Sequence, residues 1–274
     1  MRLTEEKFWD RVYEIKKNKD FSFFKKVKIF FKGWLGDKLL NYSEYLLWNK
    51  IYPQFLPHQE NIKILELGSA PGRNLINFYK KFGYEPYGVD FSGVGINKQR
   101  HLFKKNGLDP NNVILSDFLE NNFQEKYKEF FDIVMSGGVI EHFTELGDII
   151  DCHLNLLKRG GMIIVSVPNL NGMNRLLARF FFKDIFKHHN ELILDRNNLN
   201  NVLSRKTDMV FCNYFGSFNF GLFMVGDNLF KKIMHKLSLY FQFFLNLFLS
   251  LVFRKNSPES RYFSPYIMYI GIKK

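Results

Sequence analysis

A short apolar run, IKILEL (62–67), ends in the loop Glu66-Leu-Gly-Ser-Ala-Pro-Gly72 and passes straight into a helical segment, NLINFYKKF (74–82). A strand that closes in Glu-x-Gly-x-x-x-Gly and opens a helix leaves few folds available. Gly68 and Gly72 let the backbone turn sharply and approach a ligand closely. The amides at the start of the following helix are placed to meet an anionic group such as a carboxylate. Glu66, at the carboxyl end of the strand, is placed to accept from an ammonium group or nearby backbone. Asp90 ends the next strand-like run, YEPYGVDF (84–91). A carboxylate there can accept both hydroxyls of a ribose.

The rival for this arrangement is a dinucleotide site, which needs G-x-G-x-x-G with a third glycine for close helix packing. The corresponding residues are Gly68, Ala70 and Arg73, and Pro71 sits inside the loop. That reading fails on spacing. Beyond Asp90 come a helix over 93–106, a strand over 112–116, FDIVMSG (131–137), a helix near 144–158 and GGMIIVSVP (160–168). Strands alternating with helices of this length predict an α/β fold: a doubly wound, mostly parallel Rossmann-like sheet with helices on both faces. Runs that are apolar almost throughout suit strands buried on both sides. A helix over 196–204, a strand over 209–215 and a last strand in PYIMYIGIKK complete the pattern. The expected organisation is an N-terminal helical cap (1–58) and a catalytic domain (59–274), with a hydrophobic helical insertion at about 222–260 before the last strand.

At these residues the chain resembles the class I S-adenosylmethionine (SAM)-dependent methyltransferases. The likeness is strongest to the small-molecule branch with the ubiquinone-biosynthesis O-methyltransferases and bacterial glycan methyltransferases. ILELGSAPGRN (64–74) stands where that family has its glycine loop, GVDFS (88–92) matches the second motif and LSDF (115–118) the third. FDIVMSGGVIEHF (131–143) and LKRGGMIIVSVPN (157–169) match the fourth and fifth strands and their turns. The resemblance implies SAM as cofactor, held by Glu66, Gly68, Ser69, Gly72, Asp90, Phe91, Asp117, Phe118 and Ser136. Asp90 would hold the ribose, Asp117 would meet the adenine amino group, and Phe118 would cover the ring. It implies methyl transfer to an oxygen, ahead of a nitrogen or carbon, of a small molecule, glycan or lipid-linked intermediate.

Methyl transfer from a sulfonium needs an in-line nucleophile and little covalent help. A hydroxyl acceptor benefits from a general base, for which histidine suits neutral pH. His142, next to Glu141 after the fourth strand, is the candidate base; packing or helix capping is its plainer reading. His188 and His189 read first as a solvated basic loop; the resemblance also implies a segment that passes over the substrate mouth. A SAM-binding subunit or membrane-associated scaffold without catalysis is the competing function. Ser136-Gly137-Gly138-Val139 stands where a base-amino methyltransferase would carry Asp/Asn-Pro-Pro-Tyr/Phe, and neither Cys152 nor Cys212 follows a proline. Both known DNA chemistries are thereby disfavoured.

Two cysteines form neither a disulfide framework nor a metal-ligand spacing, and the N-terminus lacks the apolar core of a signal peptide. Both point to a cytoplasmic protein without a metal; a homo-oligomer stays open. The net charge of +12 favours anionic partners, and 32 Phe exceed the needs of a core of this size. Residues 4–19 read as a helix, with Phe8, Val12 and Ile15 at helical spacing. Residues 21–35 and 176–187 mix Phe with Lys, a composition suited to an anionic membrane surface at the inner face. Residues 237–253 are free of charge, with Ser238, Gln242, Asn246 and Ser250 every four positions. Three readings of that stretch stay open: a helix buried on the sheet or a dimer partner, an interfacial membrane helix, or a span.

Overall fold

The structure, a computed structural model, describes residues 2–5, 7, 9, 10, 13, 41–223, 225, 226 and 228–274. Helix α1 (Tyr42–Leu46) runs through a π turn, Leu47–Ile51, into α2 (Tyr52–Phe55). Then follow β1 (Lys63–Leu67), α3 (Arg73–Phe82), β2 (Glu85–Asp90), α4 (Gly93–Lys105), β3 (Val113–Leu115), α5 (Asn121–Lys126) and β4 (Phe131–Gly137). The second half contains α6 (Leu146–Leu156), β5 (Leu157–Pro168), α7 (Gly172–Phe182), α8 (Arg196–Leu203), β6 (Thr207–Phe215), α9 (Leu229–Val252) and β7 (Tyr266–Lys273).

The strands form one sheet in the order β3-β2-β1-β4-β5-β7-β6. Pairing is parallel from β3 through β5, and β7 runs antiparallel to both its neighbours. The chain winds outward from β1 to β3, then reverses to β4 on the other side. That reversal opens a crevice at the carboxyl ends of β1 and β4, where open α/β sheets bind ligands.

Successive strand residues face opposite ways, so Ile64 and Leu65 enter different cores. Ile64, Ile133, Ile164 and Ile270 pack with Leu75 and Phe78 of α3 and Phe103 of α4. Leu65, Val134, Ile163 and Val165 pack with Ile150 and Leu154 of α6 and Leu199 of α8. Burial on both faces is why these strands read as unbroken apolar runs. Lys7, Trp9, Asp10 and Tyr13 are helical, in line with the expected first helix. Phe8, Val12, Ile15 and the 21–35 segment lie outside the described residues.

Helix α9 does not lay its apolar side on the sheet: Gln242, Asn246 and Ser250 are buried, whereas Phe244 and Leu251 are exposed. Among the described residues no helix is long and apolar enough to cross a membrane.

Candidate active site

The loop after β1 is shaped by two glycines. Gly68 has φ +66°, and a Cβ there would stand 2.7 Å from the Val139 side chain. Gly72 has φ +84° at the head of α3, and a Cβ there would stand 2.6 Å from Cγ of Gln99. Both positions combine a left-handed backbone with a close neighbour, so only glycine fits. The close neighbour of Gly72 is protein: the loop is pinned to α4 by the Ser69 hydroxyl, which donates to Gln99 Oε1 at 2.8 Å.

Glu66 is buried at the tip of β1. Its Oε1 accepts from Asn74 Nδ2 at 2.7 Å, while Oε2 has no hydrogen-bond partner among the described residues. Burial pushes its carboxyl up to about 8, against the Asn74 hydrogen bond and with help from nearby Asp90. A buried carboxylate with one oxygen unmatched fits a cationic ligand, the ammonium of an amino-acid moiety among them. Asp90, at the tip of β2, accepts from the amides of Ala70 at 3.2 Å and Ser92 at 2.9 Å. Burial raises its pKa, and those amides and the Tyr13 hydroxyl oppose the rise. Asp90 thereby braces the glycine loop as well as offering oxygens to a ligand.

Three described residues of the N-terminal stretch, Arg2, Asp10 and Tyr13, reach this crevice. The Tyr13 hydroxyl lies 3.0 Å from the Ala70 carbonyl and 3.4 Å from Asp90 Oδ2. The Ser92 hydroxyl donates to Asp10, and Lys98 Nζ donates to the Tyr13 carbonyl. Arg2 pairs with Asp117 at 2.8 Å, and its guanidinium lies 4.6 Å from the centre of the Phe91 ring. Arg2, Tyr13, Asn74 and Gln99 all escape the sequence reading. Asn74 stands in the first turn after the loop and was within reach of local reasoning; the other three act across long separations.

Two expected cofactor residues are placed differently. Phe118 is turned into the core, edge-on to Phe143 and His153, whereas the Phe91 ring lies under Arg2 beside Asp117. Ser136 is likewise inside: its hydroxyl meets His153 Nε2 at 2.9 Å. His153 Nδ1 bonds the Ile149 carbonyl and so carries the proton, which makes Nε2 the acceptor and Ser136 the donor. Burial lowers His153 to about 4, which keeps it neutral.

Beyond β4, a tight turn at Ile140–His142 buries Glu141 and His142. His142 Nδ1 bonds the His188 carbonyl at 2.7 Å, and His189 Nδ1 bonds the Ile185 carbonyl at 2.8 Å. A carbonyl only accepts, so each Nδ1 carries the proton and each Nε2 keeps a lone pair. Burial, then the neighbouring His189, lowers His142 to about 4. Burial pushes Glu141 up to about 8, and its Oε2 has no hydrogen-bond partner among the described residues. One ligand atom from each of Glu141, His142 and His189 falls within 4.8 Å of the others, a donor set that could hold a divalent cation. His189, read as part of a solvated loop, is thus brought to the candidate base. A cleft lined by Leu3, Thr4, Glu5 and His188 opens beside them.

Residues 58–267 match the family described as "Methyltransferase domain". Among curated proteins, the ubiquinone biosynthesis O-methyltransferase of Rhodopseudomonas palustris is 28% identical over 121 residues, 43% of this chain and 45% of the relative. The aligned region thus spans under half of that relative's length. A SAM-dependent methyltransferase from Archaeoglobus fulgidus superposes with a TM-score of 0.53 at 17% identity, covering 87% of this chain and 98% of its own. Geranyl diphosphate C-methyltransferase from Streptomyces coelicolor gives 0.53 at 12% identity, covering 85% of this chain and 78% of its own. At such identities these superpositions show the fold.

Proposed function

Because the chain belongs to the methyltransferase-domain family, we propose that it transfers a methyl group from SAM to an oxygen of a small molecule. The observation that carries this reading is the buried, half-unmatched carboxylate of Glu66 beside Asp90 at the switch of strand order. Bound SAM supplies an electrophilic methyl group on a sulfonium whose leaving group is a neutral thioether. Glu66 Oε2 would hold the ammonium, and the first-turn amides of α3 would hold the carboxylate of the same moiety. Asp90 and Tyr13 would hold the ribose hydroxyls, and Asp117 and the Phe91 ring, here in contact with Arg2, would hold the adenine.

His142 is the base of this proposal. Its Nε2 lone pair is available near neutral pH because burial keeps the ring uncharged. Its Nε2 would accept the hydroxyl proton of the acceptor, and the His188 carbonyl would steady the resulting imidazolium through Nδ1. Glu141 lies buried next to it in the same turn. The cleft beside Leu3 and His188 is the way in for the acceptor. Oxygen as the accepting atom rests on the relationship to the ubiquinone O-methyltransferases. Glycan and lipid-linked acceptors remain within the same proposal.

The test is calorimetry of SAM binding with Asp90→Asn, alongside release of S-adenosylhomocysteine in the presence of phenolic and sugar acceptors. Loss of hydrogen bonds from a charged group predicts a drop of about tenfold or more in affinity. Unchanged binding by the variant would remove the cofactor assignment. Binding without turnover on any acceptor would leave a cofactor-holding subunit instead.

A further inference from the structure

Helix α9 is built inside out. Ile233, Leu237, Phe241, Phe244, Phe248 and Leu251 recur every three or four residues, lie on one face and are each more than half exposed. The opposite face carries the polar groups, and it is the one fastened to the protein. Gln242 Nε2 donates to the Phe218 carbonyl at 3.0 Å, and its Oε1 accepts from the Phe220 amide at 2.9 Å. His235 Nε2 donates to the Phe220 carbonyl at 3.1 Å. Asn246 Oδ1 accepts from Gln242 at 2.7 Å, and Leu249 packs on Tyr42 and Leu46 of α1. These bonds stop the helix from rolling its apolar side inward. A helix of a water-soluble surface has the opposite polarity, and an apolar face this long marks an interaction site.

We infer that α9 docks the protein on an anionic lipid surface, lying along the membrane plane with its aromatic band at the boundary of headgroups and acyl chains. Charge selects this occupant. Lys232 and Lys236 near one end and Arg254 and Lys255 just past the other are exposed, and no Asp or Glu occurs from 228 to 258. The whole chain carries +12. A helix with Phe and Leu on one side and Lys and Arg at its margins suits an anionic leaflet. A second copy suits it poorly, because parallel pairing sets lysines against lysines and antiparallel pairing sets them against Arg254 and Lys255. The charge-free part, 237–253, is about 25 Å long as a helix, short of the roughly 30 Å hydrocarbon thickness, so the geometry is interfacial. The connection bearing α9 leaves β6 at Phe215 and re-enters β7 at Tyr266, both level with Pro168 at the carboxyl end of β5. Its attachment is therefore on the same edge of the sheet as the glycine loop.

The full chain is floated with phosphatidylcholine vesicles and with mixed phosphatidylcholine–phosphatidylglycerol vesicles. It is expected to rise with the mixed vesicles, to stay behind with the neutral ones, and to detach as salt is raised. The pair Phe244→Ser with Phe248→Ser is expected to lower vesicle partition on the order of tenfold. Far-UV dichroism and melting temperature should not change, since both rings are exposed. Lys232→Glu with Lys236→Glu tests the electrostatic part and should weaken partition too. Failure to rise with mixed vesicles, or equal flotation by the Phe variant, would overturn the inference. So would a concentration-dependent dimer in sedimentation that the Phe variant dissociates while the wild type ignores vesicles.

Discussion

Arg2 donates to Asp117 at 2.8 Å across 115 positions of sequence, and the same guanidinium also covers the Phe91 ring. The contact occupies the two groups proposed to hold adenine, so the N-terminus and the cofactor compete for one place. A partly exposed ion pair of this kind contributes about 0.2–1 kcal/mol. Arg2→Ala should therefore tighten SAM binding by up to about fivefold, read by calorimetry. Weaker binding would instead make Arg2 a wall of the adenine site.

Glu66 as the proposed partner of the SAM ammonium would tie cofactor binding to protons. Burial holds its carboxyl near 8, so without ligand it is largely protonated at neutral pH. Pairing with an ammonium favours the ionised form, and binding should release a proton. Titrations in buffers of different ionisation enthalpy should report that release near neutral pH. Glu66→Gln should abolish it and weaken binding. Equal proton release by the variant would assign it to another group.

His142 sets the expectation for turnover. With its ring lowered to about 4, the proposed base needs no deprotonation across the neutral range. The acid side of the kcat profile should lack a limb near the ordinary histidine pKa and fall only toward about pH 4. His142→Ala should reduce kcat by about a hundredfold or more with little change in SAM affinity. A variant that keeps its rate would leave catalysis to proximity.

Stability should lean on pH from both sides. Glu66 and Glu141 are raised to about 8, so the protein without ligand binds more protons than the unfolded chain. Their contribution is complete below the unfolded carboxylate pKa and fades as pH rises through about 8. His142 and His153 are lowered to about 4, and their contribution fades in the other direction, as pH falls from about 6.5 through 4. Melting temperature should drop toward about pH 9 in the wild type and drop less in Glu141→Gln. An equally steep alkaline decline in that variant would exclude Glu141 as a source.

The packing role of the second strand can be tested separately. A Cβ at Gly88 would collide with the Gln99 amide and with the Ser69 Oγ at 2.5 Å. Gly88→Ala should cost about 1–3 kcal/mol in denaturant unfolding, as overpacking does. A neutral result would mean that Gln99 yields freely.

The glycine loop, Asp90 and the strand–helix alternation were legible in the sequence because each is written within a few residues. Strand tips, tight turns and the period of apolar residues are local properties. Arg2, Tyr13, Gln99 and His189 were not legible, because only folding brings the N-terminus over β2, α4 beneath the loop, and the 183–190 segment against β4. Phe118 and Ser136 lie in correctly placed motifs, yet their side chains serve the core; a motif locates a strand end without saying which way each side chain turns.

Helix α9 marks the same division. Its amino-acid order alone determined a polar stripe along an apolar cylinder. Which side faces outward was decided by the tertiary structure: the backbone at Phe218 and Phe220 needed hydrogen-bond partners, and Gln242 and His235 supplied them from within. Periodicity sets the angle between two faces of a helix, whereas its absolute orientation depends on what the neighbouring chain leaves unsatisfied.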